Sequence, residues 1–361
     1  MNDNSHFAAE EVAVRLLAWY GRCGRDLPWR QTRDPYRIWL SEIMLQQTGV
    51  TTVVSYYQRF LRCFSDVQAL AAASVDEVIE LWAGLGYYSR ARNLHAAACQ
   101  VVTEFGGRFP ADLLELMALP GIGRTTAGAI LSIAFDKKAP ILDGNVRRVL
   151  IRLYAVDEPP RAAAVEKRLW QWAEELTPEQ RPHDYAQAIM DLGATVCKPR
   201  NPDCSLCPLG GLCQANRLGL AGELPRRQPR KPVPLVRQVA LLLERDGEFL
   251  VSKRPLRGML AGLWEFPSRE VAEGQEVLAT AAELLAELAL LGRLRELGRV
   301  RHAYSHFRLE VAVFQVAVDG HSLVGQVAEG QPSFWLPSIE LADLTLHGAH
   351  KKVRELLASP N

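Results

Sequence analysis

Four cysteines crowd one short stretch, Cys197, Cys204, Cys207 and Cys213, in the spacing C-x6-C-x2-C-x5-C. Thiols gathered this closely read as a metal centre rather than as disulfides. Zinc is one candidate, since four thiolates suit its tetrahedral geometry. Zinc ribbons, however, usually pair two C-x2-C knuckles, and only one is present. Uneven spacing within a single loop suits a cubane iron–sulfur cluster better. The loop carries Lys198 and Arg200, which it could hold toward phosphates while also tying down the end of its domain. The other cysteines, Cys23, Cys63 and Cys99, are isolated and are expected to be buried thiols.

Two carboxylates could do proton chemistry. Glu42 lies in a helix expected from about Pro35 to Gln47, among the apolar Ile38, Ile43 and Leu45. A carboxylate there is costly unless it is paired, or neutral with a raised pKa. In the second case it is a candidate proton donor; the alternative is a partly exposed glutamate bonded to a neighbour. Asp143, in LDGNVRRVL, stands just before a helix with the stripe Val146, Val149, Leu150 and Leu153. Taken alone it reads as an N-cap.

The elements between these groups have their own pattern. Leu113, Leu116 and Met117 form a short apolar stripe that stops at Pro120. Gly121 and Gly123 then mark a turn in which a side chain would obstruct the backbone, and a second helix follows with Ala127, Ile130, Leu131 and Ala134. Such a turn delivers bare N–H groups and a helix N-terminus to one point, an arrangement that binds phosphate. Upstream, GLGYYSRARNL combines glycines, tyrosines and arginines at a turn and helix start. Arginine there would meet phosphate, and one tyrosine would wedge into nucleic acid while the other joins the core.

At 361 residues the chain has room for two domains. A net charge of +1 excludes a bulk polyelectrolyte clamp, though not a local basic groove. The sequence has no apolar run of membrane-spanning length, and its polar N-terminus is no signal peptide. The expected location is cytoplasmic, on the nucleoid if the source is bacterial. Residues 226–236 read as a basic, proline-rich linker, which could lie along phosphates or simply be solvated. From 237 to 361 the pattern is α+β: strand, Asp246-Gly247 turn, strand, an Ala/Leu-rich helix over 276–291, and an alternating strand within 300–318.

LPGIGRTTAGAIL followed by LDGNVRRVL resembles the helix-hairpin-helix superfamily of DNA glycosylases, and the cysteine spacing resembles the [4Fe–4S] loop of endonuclease III and the adenine glycosylases. With SEIMLQQT, GLGYYSRARNL, LAGLWEFP and RHAYSHF, nearly the whole chain, from about residue 11 to 355, is similar to the MutY-type adenine DNA glycosylases. The resemblance implies a multidomain fold. A mostly α helix-hairpin-helix glycosylase domain would span 1–225, with the hairpin at 112–135 and the iron–sulfur loop at 197–213, followed by a Nudix-like domain. The Nudix metal-binding box is broken, so nucleoside diphosphate hydrolysis is not implied.

The implied activity is removal of adenine mispaired with 8-oxoguanine, or less preferentially guanine, from double-stranded DNA by a monomer. Glu42 would protonate adenine N7, Asp143 would stabilise the cationic sugar, and Asn145 would position Asp143. Gln47 and Tyr87 would fill or wedge the duplex. Arg25, Leu27, Trp29 and Gln187 would surround the extruded adenine. Amides around Gly121 and Gly123, with a monovalent or divalent cation, would anchor the strand. Tyr304, Ser305 and His306 would read the oxidised guanine. Thr125 stands where endonuclease III-like enzymes carry a nucleophilic lysine, and Arg147 where some relatives have lysine, so strand cleavage should be weak. Alternatives are a bifunctional glycosylase/lyase acting on oxidised pyrimidines, a redox module and a Nudix hydrolase.

Overall fold

A computed structural model describes residues 8–226, 232–256, 258–304, 306–318 and 332–357. Ser305 and residues 227–231 of the expected linker lie outside the described residues. The chain divides into two compact units, residues 1–229 and 230–361.

The first unit is helical: α1 (Ala9–Cys23), α2 (Pro35–Leu45), α3 (Val50–Cys63), α4 (Val67–Ala72), α5 (Val75–Trp82), α6 (Ser89–Phe105), α7 (Leu113–Ala118), α8 (Arg124–Phe135), α9 (Gly144–Leu153), α10 (Ala163–Leu176), α11 (Pro182–Asp191) and α12 (Gln214–Arg217). Local chemistry sets several starts. Asp34 caps α2 at Tyr36 N, and Pro35 occupies a position where no N–H is needed. Ser74 and Glu77 form a reciprocal capping box on α5. Leu16, Val146, Leu150 and Leu169, all almost fully buried, join α1, α9 and α10 in one core. After Asp191 the helical path widens into a π turn over Leu192–Val196, which leads directly to Cys197.

The hairpin of α7 and α8 turns at Gly121, whose φ of 78° is left-handed and whose Cβ would stand 2.9 Å from Asn93 Cβ. Gly123 differs from expectation: its φ is −92° and nothing lies within 4 Å of a Cβ there, so no protein contact demands glycine.

The second unit is α+β. Its strands are β1 (Leu235–Arg245), β2 (Glu248–Lys253), β3 (Trp264–Glu265), β4 (Ser268–Glu270), β5 (Arg295–Ala303), β6 (Arg308–Ala317) and β7 (Ser333–Pro337), with helices α13 (Val277–Glu287) and α14 (Gly348–Glu355). The sheet order is β3-β2-β1-β6-β5, with β4 on β1 and β7 on β2. Alternation along β1 sends Val239, Leu241 and Leu243 to the α13 face and Ala240 and Leu242 to the α14 face. Two expectations change here. β1 begins at Leu235, inside the stretch read as linker. The single strand expected within 300–318 is part of two, β5 and β6, paired antiparallel around the turn that holds Tyr304.

Candidate active site

The C-terminal half of α2, the start of α8, the start of α9 and one face of α11 surround a cavity of about 500 Å³, within the size range of small-molecule sites. Glu42 and Asp143 both line it, as do Arg25, Leu27, Trp29, Gln47, Thr125, Asn145 and Gln187. Tyr87, Gly121 and Gly123 are not among its lining residues. Tyr304 and His306 belong to the second unit.

Glu42 points from α2 into this cavity, with apolar Ile38 and Leu45 also in the wall. Burial, reinforced by the charge of Asp143 and opposed by Arg30, pushes its carboxyl up to about 7. It can therefore keep its proton at a pH where an exposed glutamate would be ionised. Asp143 is both things the sequence allowed. It caps α9, accepting from Val146 N at 2.7 Å, and it faces the cavity. Burial raises its pKa too, but bonds from the Val146 and Asn145 amides and the Asn145 side chain favour the charged form. In the pair, the negative charge belongs on Asp143 and the proton on Glu42.

Asn145 donates to Asp143 Oδ2 at 3.2 Å and accepts from Arg148 Nη2 at 2.8 Å. Arg148 also donates to the Gly193 carbonyl at 2.7 Å and, through Nε, to the Cys197 carbonyl at 2.7 Å. Gly193 permits this approach, since a Cβ there would lie 2.6 Å from Asn145 Cβ.

Gln187 is 2 % exposed, and its surroundings fix its amide. His183 Nδ1 bonds the Ile133 carbonyl at 2.7 Å, so Nδ1 carries the hydrogen and Nε2 accepts from Gln187 Nε2, also at 2.7 Å. Gln187 Oε1 is left as a buried acceptor without a protein partner in the cavity wall.

Several contributors escaped the sequence reading. Asp191, whose side chain is fully buried, accepts from Arg25 N at 3.0 Å, Arg25 Nε at 2.7 Å, Arg30 Nη1 at 2.5 Å and Arg30 Nη2 at 2.6 Å. Burial alone would raise its pKa; the two guanidiniums outweigh that and lower it. Arg25 is thus a fixed part of the wall, and Arg30 stands near enough to Glu42 to moderate it. An acidic residue in the apolar run AIMDLGA was the available signal. Arg147, by contrast, pairs with Glu166 outside the cavity lining.

Other expectations are corrected. Arg90 does not face outward toward phosphate; it is buried, as neither Tyr87 nor Tyr88 fully is. Cys23 and Cys63 are exposed and Cys99 is half-buried. Met117 is also exposed. Tyr304 turns its hydroxyl inward, 2.9 Å from His347 Nδ1, and it also accepts from Ala349 N at 3.1 Å. His306 is exposed beside it.

Cys197, Cys204, Cys207 and Cys213 line one small cavity with Arg152. Among the described residues no group of three or more His, Cys, Asp or Glu side chains is placed to hold a single metal ion. Burial pushes the Cys207 thiol up to about 12 and raises Cys204 and Cys213. They become thiolates only against strong positive charge, which the irons of a cluster supply. Arg152 adds a donor, with Nη1 3.3 Å from Cys197 Sγ. The donor set fits a cubane.

This fold and site define a helix-hairpin-helix DNA glycosylase. Residues 40–175 match the HhH-GPD superfamily of base excision DNA repair proteins, 197–213 the iron-sulfur binding domain of endonuclease III, and 238–356 the NUDIX domain. The first unit is similar to a thermostable thymine-DNA glycosylase, with a TM-score of 0.53 and 31% identity over 58% of this chain and 97% of that one. It shares its fold with endonuclease III in a DNA complex, at a TM-score of 0.50 and 22% identity, covering 59% of this chain and 99% of that one. The adenine DNA glycosylase of Homo sapiens is 39% identical, covering 96% of this chain and 74% of the relative. That of Buchnera aphidicola subsp. Baizongia pistaciae is 34% identical, covering 85% and 86%. The chain belongs to the adenine DNA glycosylase family, carries a [4Fe–4S] cluster and acts on DNA.

Proposed function

We propose that this chain hydrolyses the N-glycosidic bond of adenine mispaired with 8-oxoguanine or guanine in duplex DNA, leaving an abasic site in an uncut strand. The observation that carries the reading is the pairing of Glu42 and Asp143 across one cavity, in surroundings that favour opposite protonation states. Adenine is a poor leaving group as an anion. Glu42 gives its proton to N7 as the bond to the sugar C1′ breaks, and the bonding electrons leave with the base. Asp143, held by Asn145, stabilises the positive charge on the sugar, directly or as a transient covalent partner. Water then bonds to C1′, and its proton returns to Glu42.

The adenine must leave the stack to reach Glu42, at a cost of roughly a few kcal/mol. Gln47 and Tyr87 fill the space it vacates. Arg25, Leu27 and Trp29 surround the base, and Gln187 Oε1 accepts from its exocyclic amine. Gly123 leaves the N-terminus of α8 unobstructed for a phosphate. A monovalent or divalent cation at the hairpin would be held by main-chain carbonyls. Ser305 and His306 read the opposite base, and the hydroxyl of Tyr304, the residue before them, is held by His347 and Ala349. Thr125 offers no amine, so no Schiff base forms with the sugar. The cluster stiffens the loop after α11, which Arg148 ties to Asn145. The protein works as a monomer in the cytoplasm, on the nucleoid if bacterial.

Duplexes containing A:8-oxoG, A:G and A:T test this when strand breaks are scored before and after alkali. The expected result is cleavage of A:8-oxoG and A:G substrates only after alkali. Strand breaks without alkali, or equal action on A:T, would overturn it.

A further inference from the structure

Arg90, on the first turn of α6, is 8 % exposed. Its Nη1 donates to the carbonyls of Ile43 and Met44, both at 2.8 Å. Its Nη2 donates to Thr48 Oγ1 at 3.0 Å and to the carbonyls of Leu85 at 3.2 Å and Gly86 at 3.1 Å. None of these acceptors is a carboxylate. The Ile43 and Met44 carbonyls belong to the last turn of α2, where helical partners run out and the helix dipole is negative. A buried cation is a costly way to fill space. What it joins explains its presence.

It joins two segments that are remote in sequence. One is the turn after α2, which holds Gln47; the other is the loop before α6, which holds Tyr87. Both residues adopt left-handed backbone, with φ of 60° and 49°. Non-glycine residues persist in that region only where their surroundings over-determine them. Arg90 binds Met44 and Thr48 on either side of Gln47. It binds Leu85 and Gly86 just before Tyr87, and its guanidinium lies 5.6 Å from the Tyr87 ring centroid.

We infer that Arg90 is a positioning residue that clamps these two segments into one rigid wedge, so that Gln47 and Tyr87 enter the duplex together. The inference rests on the reading of Gln47 and Tyr87 as duplex-filling side chains. A clamp of this kind matters while the target base is being extracted from a paired helix. It matters little once the base is already unpaired.

The experiment uses the full-length, cluster-loaded protein carrying Arg90→Met or Arg90→Lys. Single-turnover adenine release is measured on an A:8-oxoG duplex with paired flanks and on the same duplex with unpaired bases on both sides of the adenine. Arg90→Met should slow release tenfold or more on the paired duplex and less than threefold on the premelted one. Arg90→Lys, which cannot span both sets of carbonyls, should show a smaller loss with the same selectivity. Equal losses on both substrates, or no loss on either, would overturn the inference. If Arg90→Met does not fold, Arg90→Lys decides by the same comparison. Gln47→Ala and Tyr87→Ala are run beside them. If these two lose activity selectively on the paired duplex while the Arg90 variants do not, the clamp fails and the wedge survives. If neither is selective, the wedge reading falls and the inference with it.

Discussion

Arg148 and Asn145 are joined by a 2.8 Å hydrogen bond, and the same guanidinium reaches the carbonyl of Cys197 at 2.7 Å. One side chain thus connects the group that orients Asp143 with the first cysteine of the iron–sulfur loop. Arg148→Gln should release both ends. Adenine release should slow by about tenfold or more, in line with one lost positioning hydrogen bond in a site of this kind. Iron should also leave faster in the presence of a chelator. Iron per chain and single-turnover rates check both halves; unchanged iron retention would confine the link to the Asp143 end.

The proton on Glu42 gives a pH signature. A general acid works in its protonated form, and its carboxyl lies at about 7. Base release should therefore fall as pH rises through 7, by about tenfold per unit beyond it. Glu42→Gln should lose roughly a hundred- to ten-thousand-fold in rate and retain DNA binding. Stability should move the other way. A carboxyl whose folded pKa is raised destabilises the fold above the unfolded value of 4.5, and that cost levels off above the folded value of about 7. At pH 8 the Gln variant should be more stable than the parent by on the order of 3 kcal/mol, and near pH 4 the two should match.

Asp143→Asn separates capping from catalysis. Asparagine caps helices as well as aspartate does, so α9 should keep its start and the melting temperature should hardly change. Base release should vanish because no negative charge faces the sugar. An active, folded Asn variant would refute the proposed role.

Asp191→Ala leaves the Arg25 and Arg30 guanidiniums without their shared carboxylate. Breaking such a buried pair costs roughly 3–5 kcal/mol, which corresponds to a fall in melting temperature of roughly 10 °C. The wild-type contribution is present above the unfolded aspartate pKa and is lost as pH falls through the lower folded value, the direction set by the two guanidiniums. The gap between the two melting temperatures should therefore narrow as pH is lowered below the unfolded aspartate pKa, which thermal melts along a descending pH series check.

Ser305→Ala tests the opposite-base reading. Loss of a hydrogen bond that only the oxidised guanine accepts should narrow the preference for A:8-oxoG over A:G, leaving the A:G rate nearly unchanged. Rates on the two duplexes measure it, and an unaltered ratio would remove the assigned role.

Much of the site was legible in sequence because its members break local rules. Glu42 is a charge in an apolar helix, Gly121 a glycine at a left-handed turn, and the cysteines a cluster too dense for chance. What stayed hidden is held together by tertiary contact. Asp191 meets Arg25 and Arg30 only after α11 packs against the N-terminal helix and the loop that follows it. Arg90 reads as a surface arginine in a basic loop until α2 ends beneath it. Gly123 looks in sequence like a steric necessity of the turn, yet nothing lies within 4 Å of a Cβ there, and a glycine can mark space left for something outside the chain. The two strands read as one within 300–318 show how a short turn disappears inside an otherwise continuous β pattern.

The π turn at Leu192–Val196 has a consequence for insertions and deletions. A wider turn accommodates one extra residue without advancing the axis by the usual step. That residue lets Asp191 face the arginines on one side while the Gly193 carbonyl faces Arg148 on the other, with Cys197 delivered in phase. Removing one residue from this segment would let ordinary helical winding resume with little rotation downstream, whereas adding one would turn everything that follows by about 100°. Such an insertion should uncouple the cysteine loop from the catalytic wall more completely than any point substitution within it.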